Sequence, residues 1–491
     1  MKNAIASLFA HRANAVLACS AAVLLAACGG SDMADNATQT AASISTGVAA
    51  AQSEASSAAA AAASNEAPLS AESSIAGNYE QEVAAASAVS ASLDQAAGGS
   101  AAADSAPAQA AAPASAAAAA FVPADGTRML ATVTRVNTAP AATTSTYNLY
   151  VATTGSDSNT GTQAKPYKTI AKAAAAAKAG TTVHVAAGTY KGNVSTKTSG
   201  TSSNRIRFVS DTKWGAKIVG TGTEAMWTNS GNYVDITGFD ISGPGRHGIL
   251  NNGSNTLMSN NNIHNITVSG GCTGGGGAGI VNANYSGSNG DVIGNIVHDI
   301  GKPGGCNGVQ GIYSANKGGK IMNNVVYRAS SYGIHLWHAA TDVLIANNTV
   351  FANGSSSMGG GIVIGAGDAP GGVQVKNTKV INNIVYKNPR SGILQYCYSG
   401  QSCIGSGNVT ANNLVNGNGS NISLKTGSAT ATVSTDPKFV SYNPTGTGDY
   451  RLASGSPAAN KGTSSSAPAT DIAGTARPKG GAFDIGAYES F

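Results

Sequence analysis

From residue 147 onward the apolar residues come in short runs broken by Gly, Asn and Thr, and no stretch sustains a 3.6-residue period over the ten or so positions a helix needs. Two short signatures alternate along this region. One is an Asn followed by an apolar pair, starting at Asn261, Asn295, Asn324, Asn348, Asn383 and Asn413. The other is Gly-Ile, at Gly248, Gly279, Gly311, Gly333, Gly361 and Gly392. Successive copies lie 22 to 35 residues apart, so each repeat holds a constant minimum plus a loop of variable length. Repeats of this size, made of short β-type runs, predict the coils of a parallel β-helix rather than a helical solenoid. The recurring Asn is read as structural: stacked side-chain amides form a ladder between coils, and Asn tolerates a left-handed turn.

Strand alternation gives each repeat an inside and an outside. With the Ile of each Gly-Ile pointing in, the next residue points out, and the outward row reads Leu250, Val281, Tyr313, His335, Val363, Leu394. Two positions further it reads Asn252, Ala283, Ala315, Trp337, Gly365, Tyr396. Tyr313, His335, Trp337 and Tyr396 therefore share one face, with His338 at a strand end. Loops beside this face differ in length. From the signature Asn to the next Gly-Ile the chain takes 18 residues at Asn261 and 16 at Asn295, but 9 at Asn324 and at Asn383. The long loops are expected to wall a groove floored by the His335 strand, with Arg246 and Arg390, each two before a Gly-Ile, adding positive charge. Aromatic and cationic linings suit a polysaccharide. The competing reading is that the aromatics only cover an exposed sheet face or pack under a loop.

Cysteine spacing fits the same register. Cys272 and Cys306 each lie 11 residues after a signature Asn, one coil apart, so stacked strands bring them within disulfide reach. Cys397 and Cys403, six apart, are expected to close a local loop.

The first 146 residues are different in kind. Met1-Lys2 and His11-Arg12 precede an apolar run, residues 13–27, that is too short for a permanent membrane span and reads as an export signal. Its end, Leu25-Ala26-Ala27-Cys28, resembles the lipobox of bacterial lipoproteins, which implies cleavage after residue 27 and lipid on Cys28. Gly rather than Asp at position 29 implies outer-membrane anchoring. Residues 28–146 are dominated by Ala and Ser and cannot bury a core, so they read as a tether. As a flexible coil of about 115 residues it would span about 60 Å. Lys and Arg number 29 against 24 Asp and Glu, with 11% charged residues overall, a balance too mild and dispersed for a nucleic-acid partner. A monomer tied to the membrane by lipid alone is expected.

The stretch "YVATTGSDSNTGTQAKPYKTIAKAAAAAKAGTTVHVAAGTY" (residues 150–190) resembles the opening of right-handed parallel β-helix proteins, including family-nine polysaccharide lyases. The resemblance implies a strand, a Gly/Asn loop, a short amphipathic capping helix and the first coil. Residues 436–489 resemble a C-terminal segment attached to many of the same exported β-helices, so the folded part divides into a β-helix over 147–435 and a capping segment over 436–491. Those lyases are implied to use a lysine base beside an aspartate cluster that binds Ca²⁺. No lysine stands in the outward rows here, and Asp235, Asp240, Asp291, Asp299, Asp342 and Asp368 fall at different coil offsets, which leaves a Ca²⁺ site undetermined.

Elimination from a uronate needs a base for the C5 proton and a cation for the carboxylate. His335 or Tyr313 is the candidate base, Arg246, Arg390 or Lys302 the candidate cation, and Trp337, His338, Tyr396 and Lys302 the candidate substrate contacts. Glycoside hydrolysis by paired carboxyls is disfavoured, since the folded part holds two glutamates, Glu224 and Glu489, and no Asp-Asp doublet. A non-catalytic glycan-binding or adhesin-type β-helix is the alternative. His264 and His298 share one coil position as a conceivable metal pair, and the Gly-rich residues 274–279 do not have the context of a phosphate loop.

Overall fold

Every Gly-Ile signature lands on a strand, and the six isoleucines form one unbroken inward column from Ile249 through Ile280, Ile312, Ile334 and Ile362 to Ile393. The computed structural model describes residues 147–490 apart from 223, 269–271, 273–275, 368–372 and 446–447. The export signal, Cys28, the tether and Asp368 lie outside the described residues, as does part of the Gly-rich loop.

Three parallel sheets run the length of the domain, one of ten strands and two of nine. The chain visits them in turn, so each coil contributes one strand to each sheet. The first sheet begins at Tyr147–Val151, the second at Gly188–Lys191 and the third at Val194–Thr196. The result is a parallel β-helix. Its interior is filled by the inward Val, Ile, Phe and Met columns, with Trp227 packed edge-on between Phe208 and Phe239. A short helix, Ile170–Ala176, buries Ile170, Ala173 and Ala174 against the first coil and is capped by the Thr169 hydroxyl.

The signature asparagines form the expected ladder. At the turn from first to second sheet, Asn261, Asn295, Asn324, Asn348, Asn383 and Asn413 are fully buried, and each amide donates to the next oxygen at 2.9 to 3.1 Å. The left-handed turn belongs to the preceding residue instead. Asn260, Asn323, Asn347, Asn382 and Asn412 have φ of 53° to 55°, and Gly294 takes the same place at 70°. Two neighbouring positions thus divide the roles that the sequence suggested for one. A second ladder, Asn353–Asn388–Asn418, closes the corner between second and third sheets.

Both disulfides pair as the register predicts. Cys272–Cys306 joins consecutive coils with Cα atoms 5.3 Å apart, and Cys397–Cys403 closes its six-residue loop at 5.6 Å.

Residues after 436 cover a flank of the solenoid. Phe439, Tyr450, Leu452, Ile472, Ile485 and Ala487 pack on Val325, Phe351, Ile384 and Leu414, the outer face of four consecutive strands of the second sheet. The row of left-handed asparagines serves as the seam: Asn323 donates to Thr470 O, Asn347 to Asp484 O, and Asn382 to Thr463 O. The physical reason is visible in the outward row of that sheet, which changes from Ser242, His264 and His298 to Tyr327, Phe351 and Tyr386 as the chain advances. An apolar outer face must be covered.

Candidate functional site

The third sheet carries its aromatics where alternation puts them. Tyr313 and His335 are directly paired on neighbouring strands, Val309–Ser314 and Tyr332–Leu336. Their rings meet edge to face at 5.1 Å, and the His335 ring lies 5.4 Å from Trp337 and 5.2 Å from Tyr332. Together with Ala278, Val281, Ala283 and Ala315 they form an apolar cluster outside the solenoid interior. Tyr285, Tyr332 and Tyr398 join it and were missed in the sequence. Two of them could have been found by extending the alternation, since Tyr285 lies two past Ala283 and Tyr398 two past Tyr396.

Burial divides the candidates. Trp337 is 3% exposed and Tyr313 4%. The indole lies flat over Gly365 and Gly367 of the next coil, where an added Cβ would meet it at 2.1 and 2.3 Å. Trp337 is therefore a packing residue that stacks on Tyr396 at 5.7 Å, a correction to its reading as an open sugar platform. His338, 2% exposed, is likewise enclosed, with its Nε2 2.9 Å from the Tyr285 hydroxyl. His335 is only half-buried, although its Nδ1 is enclosed and has no hydrogen-bond partner. Of the aromatic row it is the imidazole that reaches partial exposure, although its unpartnered Nδ1 stays enclosed.

Electrostatically this face is uncharged. Burial, and secondarily the neighbouring His338, lowers His335 to about 3; burial alone lowers His338 to about 4. His247, on the same sheet, is lowered to about 3 by burial and then by Arg246. All three are neutral imidazoles at physiological pH.

The stability consequence has a definite sign. In the unfolded chain these rings titrate near 6.5, so below that pH the unfolded state binds protons the native state refuses. Their contribution is complete above about 6.5 and is lost as pH falls toward 3 to 4, most fully for the enclosed His247 and His338. Asp291, raised to about 6 chiefly by burial, and Asp235, raised for the same reason, act oppositely, while His298 is lowered by burial with the other three histidines. Unfolding midpoints are expected to fall between about pH 7 and about pH 5. His247→Phe is expected to flatten the slope; a midpoint that held steady on acidification would contradict the burial of these rings.

The candidate cations are dispersed. Arg246 and Arg390 occupy the same row five coils apart, about 24 Å at the inter-strand spacing, so one sugar unit cannot engage both. Arg390 is exposed and donates from Nη1 to the Ser357 carbonyl at 2.9 Å. Lys302 is exposed in the loop that carries Cys306.

Among the described residues, the aspartates singled out in the sequence are held by separate partners. Asp235 binds Arg205 and lies near Arg207, Asp240 binds His264 and Asn262, Asp291 accepts the Lys320 amide, Asp299 binds His298 and Arg328, and Asp342 accepts from Asn377. Among the described residues no three His, Cys, Asp or Glu side chains are grouped to hold a metal ion. His264 and His298 stack in parallel at 5.1 Å, each held by its own aspartate, an arrangement of rings in contact rather than of converging ligands.

Comparison with known proteins follows the same lines. The model of the Pel9A-like right-handed β-helix region matches residues 149–426, more than half of the chain. Among solved structures, pectate lyase Pel9A is 19% identical, covering 70% of this chain and 96% of its own, with a TM-score of 0.48. An alginate lyase from Paenibacillus sp. str. FPU-7 is 16% identical, covering 58% of this chain and 98% of its own, with a TM-score of 0.37. The uncharacterised protein YwoF of Bacillus subtilis (strain 168) is 48% identical over 60 residues, 12% of this chain. The chain thus spans about an eighth (13%) of the length of that curated relative. On the extent of the family match, with the three stacked parallel sheets it describes, the chain belongs to the Pel9A-like right-handed β-helix family.

Proposed function

We propose that this protein acts on an acidic polysaccharide at the outer face of the third sheet, cleaving uronate-containing chains by β-elimination. The observation that carries this reading is the half-exposed, uncharged His335 in ring contact with Tyr313, set on the outward row of a Pel9A-like β-helix. In the reaction His335 takes the C5 proton. The electron pair left behind forms the C4–C5 double bond, and the bond from C4 to the glycosidic oxygen breaks, that oxygen taking its proton from water, while Tyr313, whose hydroxyl is enclosed, holds the His335 ring by edge-to-face contact. An approaching uronate carboxylate favours the protonated imidazole, raising its proton affinity from the low value of the free protein toward that of a working base. Residues 1–28 support delivery of this domain to the outer membrane as a lipoprotein, with the Ala/Ser-rich segment as spacer and a monomer as the working unit.

The test is incubation of the full chain with a panel of uronate polysaccharides, with and without Ca²⁺, following absorbance from unsaturated products. His335→Ala is expected to lower the rate by about 100-fold or more, in keeping with loss of a general base, and Tyr313→Ala, which removes the ring that holds His335, by at least tenfold. Full activity in both variants would remove this pair from the mechanism. A second reading, a glycan-binding protein without catalysis, is favoured by the dispersal of Arg246, Arg390 and Lys302. It predicts no product on any substrate together with saturable glycan binding.

A further inference from the structure

A cleft of about 450 Å³ opens on the opposite side of the corner from the His335 face, between the second sheet and the C-terminal segment. Its lining holds two cations, Arg328 and Lys387, and no acidic residue. They follow Tyr327 and Tyr386, residues two coils apart in register, which sets their Cα atoms about 10 Å from each other. Between them stands Ala352, whose small side chain leaves the recess open. All three have φ of 48° to 57°, a left-handed bend that turns the side chains out from the corner.

Arg328 is ion-paired with Asp299 outside the lining, and the charge of Lys387 acts on Asp436. Asp299 accepts from Arg328 Nε, which fixes the guanidinium, while Nη1 only reaches the Pro444 carbonyl at 3.5 Å. Lys387 Nζ lies 5.0 Å over Tyr386 and 4.9 Å over Tyr442, with no carboxylate within 4 Å among the described residues. Tyr442 forms a wall, braced by Phe351, Tyr386 and Phe439, and its buried hydroxyl has no hydrogen-bond partner. Pro303, Pro389 and Pro444 supply the remaining rigid apolar edges.

From this lining we infer a second carbohydrate site, distinct from the His335 face, that binds a carboxylate-bearing sugar unit of an acidic polysaccharide. The carboxylate pairs with Lys387 and Arg328, and the apolar faces of the pyranose ring rest on Tyr442 and the prolines. Tyr442 and Pro444 lie beyond the residues matched by the family model, so the site depends on the C-terminal segment of this chain. It would hold the polymer near the domain whether or not the third sheet cleaves it, and does not rest on that reading.

The test is calorimetric titration of the full chain, in wild type and in a His335→Ala background where the proposed cleavage cannot consume ligand. The probes are oligogalacturonate, oligomannuronate and methyl-esterified oligogalacturonate. A charged oligomer is expected to bind, with the ester at least about tenfold weaker. Lys387→Gln and Arg328→Gln are each expected to lose about tenfold in affinity. Lys387 is exposed, so its variant should keep the parental unfolding midpoint. Equal binding of the ester, unchanged affinity in both variants, or no binding of either charged oligomer would overturn the proposal. Loss of cleavage with retained binding in His335→Ala would separate the two sites.

Discussion

Asn324→Ala is expected to destabilise the β-helix by about 3–5 kcal/mol, a cost far above that of an ordinary polar substitution. Its side chain is fully buried, and its Oδ1 accepts both the backbone amide of Asn295 at 2.9 Å and the Asn295 side-chain amide at 3.0 Å. Its own Nδ2 donates to Val292 O and to Asn348 Oδ1, each at 2.9 Å. Truncation therefore strands two donors on one neighbouring coil and removes a donor from a carbonyl on the same coil, all at fully buried positions. Each such orphan costs about 1–3 kcal/mol. Because a coil is supported only by its neighbours, the break falls in the middle of the stack and weakens coupling between its halves. Asn204→Ala, at an exposed turn, should lie within about 0.5 kcal/mol of the parent. Urea unfolding of the two variants decides the matter: similar midpoints would mean that the ladder is incidental to stability.

Arg477→Met is expected to cost a comparable 3–5 kcal/mol, by a different route. Arg477 and Glu489 both have fully buried side chains, and the guanidinium Nη1 meets the carboxylate at 2.6 Å. The same guanidinium donates to Gly486 O at 2.9 Å and to Asn323 Oδ1 at 3.3 Å, so it links the C-terminal segment to itself and to the solenoid. Removing the cation leaves Glu489 charged in a site without solvent. The expected readout is release of the flank: protease cleavage within residues 436–490 should rise while the coils upstream of Val325 stay protected. Adding Glu489→Leu to Arg477→Met should restore much of the loss, since an apolar pair can replace a buried ion pair at little cost. If the double variant were as damaged as the single one, the network around Asp484 and Asn323, rather than the uncompensated charge, would be the cause. Release of the flank would also dismantle the cleft at Tyr442, so oligogalacturonate affinity should fall with protection.

How far the sequence reached can be judged residue by residue. The coil register, the inward isoleucine column, the outward pairing of Tyr313 with His335 and both disulfides were legible because each follows from a local period of two nested in a repeat of 22 to 35 residues. The Asn ladder was legible for the same reason: identical residues at one offset must stack. What packs on the outside of the coils was not legible. Alternation says that Trp337 points outward, but only the fold shows the indole pressed on Gly365 and Gly367 and removed from solvent. Equal offsets made Arg246 and Arg390 alternative cations for one groove, and the stack sets them five coils apart. The flank cleft was invisible, because Arg328 and Lys387 become neighbours of Tyr442 only when the C-terminal segment folds back over the second sheet. The sequence by itself determined the solenoid, since strand period and repeat length are properties of neighbouring residues. Which outward residues meet water, a ligand or another part of the chain was decided by tertiary structure alone, because that depends on loops and a terminal segment whose placement no local period encodes.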